Sequence, residues 1–214
     1  MRQPLNPRRI GLLGGSFDPP HLAHRALGRL AQKALRLDEL RWLPAGTPWQ
    51  KAGRMLAPAE HRAAMLALLV GDAPGQSIDM RELQREGPSY TLDTVLALQA
   101  ERAASGQAPA DWFLVLGQDQ FARFDTWQRW PELLQRVTLA VAGRDGQAPV
   151  APPALAAVTY HCQRLDLPTM DISASTVRRL RAAGQPISAL VGEAVARYID
   201  QHQLYPPDKR PPPS

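Results

Sequence analysis

A single cysteine, Cys162, stands in 214 residues, so the chain has no pair for an internal disulfide and suits a reducing compartment, the cytoplasm. With no activating pattern around it, that cysteine reads as a small buried hydrophobe and not as a nucleophile. No stretch reaches 18 uninterrupted apolar residues, so no membrane span is expected. The opening MRQPLNPRRI lacks the apolar core of a secretion signal. Runs of five or more like charges are also missing. The formal net charge of +5, from 25 Lys and Arg against 20 Asp and Glu, is spread thinly and supplies no basic arm for nucleic acid. Small anionic ligands fit such a balance equally well. No His, Cys or Asp cluster has the spacing of a zinc site.

What is present is enough for one packed core, with 44% hydrophobic residues. Residues 1–8 and 205–214 are rich in proline and charge and read as disordered tails flanking one domain over 9–204. Within it, apolar runs predict strands at RIGLLG (9–14), ELRWLP (39–44), SIDMREL (77–83), DWFLVLG (111–117), VTLAVAG (137–143) and AVTYH (157–161). The fourth and fifth are almost continuously apolar, as strands buried on both faces are. Helical patterns fill the gaps. HLAHRALGRLAQKAL sets Leu22, Ala26, Leu30 and Ala34 on one stripe, and PAEHRAAMLALLV does so with Met65, Leu66, Leu69 and Val70. Further helices are expected in TLDTVLALQAERAA, TWQRWPELLQR, SASTVRRLRAAG and ISALVGEAVARYIDQHQL, the last forming a small C-terminal helical part. Strand and helix alternating this way predict an α/β fold: a doubly wound, Rossmann-like parallel sheet with helices on both faces.

The first strand runs into GLLGGSFDPPHLAH (11–24). In such folds ligands sit beyond the carboxyl ends of the strands, near helix N-termini. Gly14 and Gly15 let the backbone approach a ligand closely, and Pro20 suits a helix start. His21 and His24, three residues apart on the first turn, share a face. Free N–H groups and the helix dipole favour an anion there, and two imidazoles add donors. The site is built for phosphate. It is neither the dinucleotide fingerprint nor a Walker A loop.

GGSFDPPHLAH resembles the G-G-[ST]-F-D-P-x-H-x-G-H signature of the nucleotidyltransferase superfamily, with Ala23 where the glycine between the histidines usually stands. RELQREGPSYTLDTV (81–95), GQDQFARFDTWQRW (117–130) and DISASTVRR (171–179) are similar, in order and spacing, to segments of bacterial nicotinate mononucleotide adenylyltransferases. The resemblance covers about Arg9 to Leu204 and implies an enzyme of NAD biosynthesis, making deamido-NAD and pyrophosphate from ATP and nicotinate mononucleotide with Mg²⁺. The metal would be held through ATP phosphates and not by a protein cage. Other readings are a relative acting on nicotinamide mononucleotide or phosphopantetheine, or a non-catalytic nucleotide-binding module.

The resemblance implies a residue set. His21, His24 and Arg178 are the catalytic candidates. ATP falls to Gly14, Gly15, Ser16, Phe17, His21, His24, Gly117, Asp119, Ile172, Ser173, Ser175 and Arg178. Asp119 would meet ribose hydroxyls or the water shell of the metal, and Arg178 the β or γ phosphate. The mononucleotide falls to Lys51, Ser89, Tyr90, Thr91, Leu92, Trp127 and Gln128. In PSYTLDT a helix beginning near Thr91, capped by Ser89 or Thr91, offers N–H groups to the nicotinate carboxylate. Trp127 is the stacking platform for the pyridine ring, while Trp130, before Pro131 and an apolar helix, is assigned to core packing. TPWQK (47–51) departs from the usual P-P-H-[KR]: Lys51 keeps the cation, and Trp49 and Gln50 replace proline and histidine. Arg144, at the end of the fifth strand, is either a phosphate contact or a turn residue.

Overall fold

The computed structural model describes residues 7–46, 56–143 and 147–207. Six strands, β1 (Arg8–Gly15), β2 (Glu39–Pro44), β3 (Gln76–Ile78), β4 (Ala110–Gly117), β5 (Thr138–Ala142) and β6 (Cys162–Leu165), form one sheet in the order β3-β2-β1-β4-β5-β6. Every pairing is parallel. Alternation along the strands splits the core. Ile10, Leu12, Leu114, Leu116, Leu139 and Val141 pack on one face against helix α4 (Thr91–Ala104) and the short α6 (Trp130–Leu134). Leu13, Leu40, Trp42, Phe113, Val115 and Ala140 pack on the other against α1 (Leu22–Ala34) and α2 (Ala59–Val70). A third cluster joins α2 to α7 (Ala174–Ala182), α8 (Ser188–Val191) and α9 (Glu193–Gln201). Two further helices are single turns, α3 (Arg81–Gln84) and α5 (Gln118–Phe121). The doubly wound architecture expected from the sequence is the one observed.

Several boundaries differ for identifiable reasons. The strand expected over 77–83 stops at Ile78, because Asp79 Oδ1 accepts from Arg81 N–H (3.1 Å) and the Arg81 guanidinium (2.8 Å) and starts α3. The strand expected at 157–161 lies one step later, at Cys162–Leu165. Val158 and Tyr160 pack on the core without joining the ladder, which begins where His161 O accepts from Leu139 N. On α1 the buried stripe is Leu27, Gly28 and Ala31, not Leu22, Ala26, Leu30 and Ala34. Gly28 defines that stripe, since a Cβ there would come within 2.6 Å of the Trp42 ring. The helix expected over TWQRWPELLQR is only Trp130–Leu134, entered through left-handed Arg129 (φ 52°) with Pro131 in its first turn. The C-terminal pattern is two helices, broken at Gly192 (φ 85°). Cys162 is exposed, not buried, because β6 is an edge strand.

Candidate active site

Helix α1 follows β1 onto one face of the sheet, whereas α6 follows β4 onto the other. Between the carboxyl ends of β1 and β4 the two layers therefore part, which is where doubly wound sheets bind ligands. A cleft of about 940 Å³ opens there. Gly14 and Gly15 at the end of β1 and Ser16 just after it line it, facing Gly117, Gln118 and Asp119 from β4 and α5.

His21 and His24 form one wall. His21, in extended conformation, is the N-cap of α1, so the helix begins at Leu22, two residues after Pro20. The two imidazoles stack, centroids 3.7 Å apart and 26° between planes. His21 N–H donates to His24 Nδ1 (3.2 Å). With Nδ1 accepting, the neutral His24 ring carries its proton on Nε2. His21 is 7% exposed, and burial pushes its imidazole down to about 4, so it is uncharged at neutral pH. Its Nδ1 is buried without a hydrogen bond among the described residues. Phe17, assigned to ATP by resemblance, does not line the cleft. Its side chain is buried at φ 47°, edge-on to His24 at 5.1 Å. A Cβ on Gly15 would meet the Phe17 ring at 3.1 Å, so glycine there lets the ring brace His24.

Behind this wall lies a polar hub to which the sequence reading gave no role. Asp18 is 1% exposed, and its Oδ1 accepts from Ala57 N–H (3.1 Å) and the Tyr205 hydroxyl (2.8 Å). Arg62, 3% exposed on α2, donates to four carbonyls: Ser16 (2.9 Å), Ala45 (2.6 Å), Gly46 (3.2 Å) and Ala57 (3.1 Å). One guanidinium thus ties the loops after β1 and β2 to the start of α2. Burial pulls the Arg62 pKa down, Asp18 and Tyr205 oppose that, and it remains a cation. One signal was available: Arg62 extends the apolar stripe of Met65, Leu66 and Leu69 by one turn, and a charge on a buried stripe needs partners.

Arg178 lies outside the cleft lining. It donates through Nη1 to Asp18 O and lies 3.6 Å from Asp18 Oδ2. Ile172 and Ser173 do line the cleft. Ser173 is the N-cap of α7 as expected, accepting from Thr176 N–H (3.1 Å). Ser175 Oγ is 2.9 Å from Ser173 Oγ, but Ser175 is not part of the cleft lining.

The opposite wall comes from PSYT. Ser89, Tyr90 and Thr91 line the cleft, as do Trp127 and Gln128, while Leu92 is buried in the core. Tyr90, not Ser89 or Thr91, is the N-cap of α4, and no side chain caps that turn. The Ser89 hydroxyl donates instead to Glu82 O (3.2 Å), and Thr94 Oγ1 donates to Glu82 Oε1 (2.8 Å). Glu82, 7% exposed, holds both sides of the turn, and burial raises its carboxyl pKa. Trp127 packs on Phe124 (centroids 5.2 Å), with Nε1 buried and unbonded among the described residues. Trp130 is half-buried against the core, as assigned. Lys51, with Trp49 and Gln50, and Arg144 lie outside the described residues.

A glycine-floored crevice at the switch point, walled by paired histidines and two helix N-termini, is the site of a nucleotidyltransferase. The cytidylyltransferase-like family model matches residues 12–180. "Probable nicotinate-nucleotide adenylyltransferase" of Methylibium petroleiphilum is 48% identical over 206 residues, covering 94% of each chain. Its namesake from Bordetella petrii is 46% identical over 203 residues, covering 92% of this chain and 99% of that one. The chain belongs to the nicotinate-nucleotide adenylyltransferase family. A solved Plasmodium falciparum nicotinic acid mononucleotide adenylyltransferase, complexed with NaAD, shares the fold at a TM-score of 0.72 and 17% identity, covering 92% of this chain and 97% of that one.

Proposed function

We propose that this protein joins ATP to nicotinate mononucleotide, releasing pyrophosphate and deamido-NAD, with the residues of this cleft in the following roles. The observation that carries the reading is that one volume is bounded on one side by the histidine pair and the start of α7, and on the other by the start of α4 and Trp127. A triphosphate and a ring-bearing mononucleotide therefore meet between them.

The nucleophile is the 5′-phosphate of the mononucleotide, attacking the α-phosphorus of ATP in line. It is already an anion, so catalysis reduces to positioning and charge neutralisation. Two unit charges about 4 Å apart repel by about 4 kcal/mol at an effective dielectric of 20. His24, its Nδ1 engaged by the chain, offers Nε2–H to the developing charge on the α-phosphate. His21, held neutral, contributes hydrogen bonding and not positive charge. Gly14, Gly15, Ser16 and the α7 N-terminus receive the phosphate chain, and Arg178 reaches it from Asp18. Gly117 and Asp119 face the nucleotide, Asp119 toward ribose hydroxyls or metal-bound water. Mg²⁺ would arrive on the ATP phosphates, and Asp119 in the cleft lining is the residue that would meet its water shell. The metal would supply charge neutralisation.

On the other wall the uncapped α4 N–H groups of Thr91 and Leu92 donate to the nicotinate carboxylate, and Trp127 stacks on the ring with Gln128 beside it. Lys51 would add a cation for the mononucleotide phosphate. A hydrogen bond to a charged acceptor contributes about 1.5–3 kcal/mol, or roughly tenfold to 150-fold in preference for acid over amide. Pyrophosphate release with nicotinate against nicotinamide mononucleotide tests this, and equal turnover would refute it. No described helix is long and apolar enough to cross a membrane, and a cytoplasmic location fits the single exposed thiol.

A further inference from the structure

We propose that Tyr205 is a positioning residue for ATP: its hydroxyl keeps the Asp18–Arg178 pair open so that Arg178 stays available to the triphosphate. The inference rests on the reading of Arg178 as a phosphate-binding residue. The two oxygens of Asp18 are treated unequally. Oδ1 accepts from Ala57 N–H and the Tyr205 hydroxyl, whereas Oδ2, buried and without a hydrogen bond among the described residues, stands 3.6 Å from Arg178 Nη1. That is beyond hydrogen-bonding distance. Arg178 is held by Asp18 through the backbone carbonyl and not by the two-pronged grip that a guanidinium and a carboxylate form when unconstrained. The other nearby cation, Arg62, is engaged with its four carbonyls.

Two further observations show that Tyr205 is held for this contact. Its backbone is left-handed, φ 54°, a conformation L-residues avoid unless tertiary contacts fix it. Its ring packs against the cluster formed by α2, α7 and α9. Burial pushes its hydroxyl pKa upward, beside the Asp18 carboxylate, so it stays a donor at working pH. Without the hydroxyl, Oδ1 is held by the Ala57 N–H alone, so the Asp18 carboxylate can swing Oδ2 onto Arg178, and ATP must then break a buried ion pair to recruit that arginine.

The test uses the full chain and the Tyr205→Phe variant, which keeps the ring and removes the donor. Steady-state pyrophosphate release should show KM for ATP raised roughly tenfold or more, the worth of one hydrogen bond to a charged group. KM for nicotinate mononucleotide should change less than about twofold, since the contact lies on the ATP side. Arg178→Ala alone should raise KM for ATP, and adding Tyr205→Phe to it should change nothing more, because the two act through one pair. An unchanged ATP KM in Tyr205→Phe, with Arg178→Ala impaired, overturns this inference alone. Additive losses in the double variant overturn it too, as does a parallel rise in both KM values with a lowered melting temperature, the mark of a structural role. A normal ATP KM in Arg178→Ala instead overturns the phosphate-binding reading beneath it.

Discussion

Replacing Arg62 by methionine removes the side chain that ties the loops after β1 and β2 to the start of α2 behind the histidine wall of the cleft. The methionine keeps most of the stem's packing, so the loss isolates the guanidinium. Four carbonyls lose a charged donor at once: Ser16, Ala45, Gly46 and Ala57. At about 1.5–3 kcal/mol each, the four bonds set an upper limit of roughly 6–12 kcal/mol. These residues are only half-buried, so water can replace part of that. Buried Asp18 loses a nearby positive charge as well, while Arg178 stays 3.6 Å from its Oδ2. A net loss of about 3–5 kcal/mol is expected, a large share of the roughly 5–15 kcal/mol that holds a domain together. Arg62→Lys keeps the charge but has one nitrogen and no planar fork, so it should recover about half. Urea unfolding followed by tryptophan fluorescence measures both, with the slope unchanged and the midpoint lowered. In thermal melts the methionine variant should fall by about 6–20 °C, at roughly 2–4 °C per kcal/mol for a chain of this size. Methionine within about 0.5 kcal/mol of wild type would refute the reasoning.

His24→Ala should lower kcat by about 10²-fold or more, as the loss of a donor aimed at developing charge does, with little change in melting temperature; normal turnover in a pyrophosphate-release assay would count against the mechanism. Trp127→Ala should raise KM for nicotinate mononucleotide and leave ATP binding intact, and equal loss of both would make Trp127 structural. His21 titrates near 4 in the folded chain against 6.5 when unfolded, so the unfolded state binds the extra proton between those values. Stability should therefore fall as pH drops from about 6.5 toward 4, by up to about 3 kcal/mol from this group. Urea midpoints measured across that range should show a shallower fall in His21→Gln, and an equal fall would mean that other groups cause it.

The sheet was legible because its central strands are continuously apolar and its crossings end in glycine. RIGLLG, ELRWLP and DWFLVLG lie within one residue of β1, β2 and β4 at either end. Weakly patterned edges were not: β3 and β6 have three and four residues, and CQRL buries only Leu165, so apolar alternation pointed to Val158 and Tyr160 instead. The motifs located the cleft, and Gly14, Gly15, Ser16, His21, His24, Ser89, Tyr90, Thr91, Gly117, Asp119, Trp127, Gln128, Ile172 and Ser173 all line it. What no motif conveyed was orientation. Phe17 and Leu92 belong to matching segments, yet their side chains turn into the core. Asp18 lay within the quoted signature without a role, because its partners stand 39, 160 and 187 positions away. Tyr205 was placed in a tail because a proline-rich composition begins there, although its ring and hydroxyl are both engaged.

The central place of β1 has a consequence for how the chain reaches this state. Its neighbour on one side, β2, follows after a single helix, but β4 on the other side begins only at Ala110. During synthesis, Ile10, Leu12 and the backbone groups on that flank remain uncovered while about a hundred further residues are made, some seconds at ribosomal speed. Over that interval the segment that will floor the cleft is also an open, apolar strand edge, the kind other chains can pair with. Expression at lower temperature or with abundant chaperones should accordingly favour recovery of active protein over aggregate.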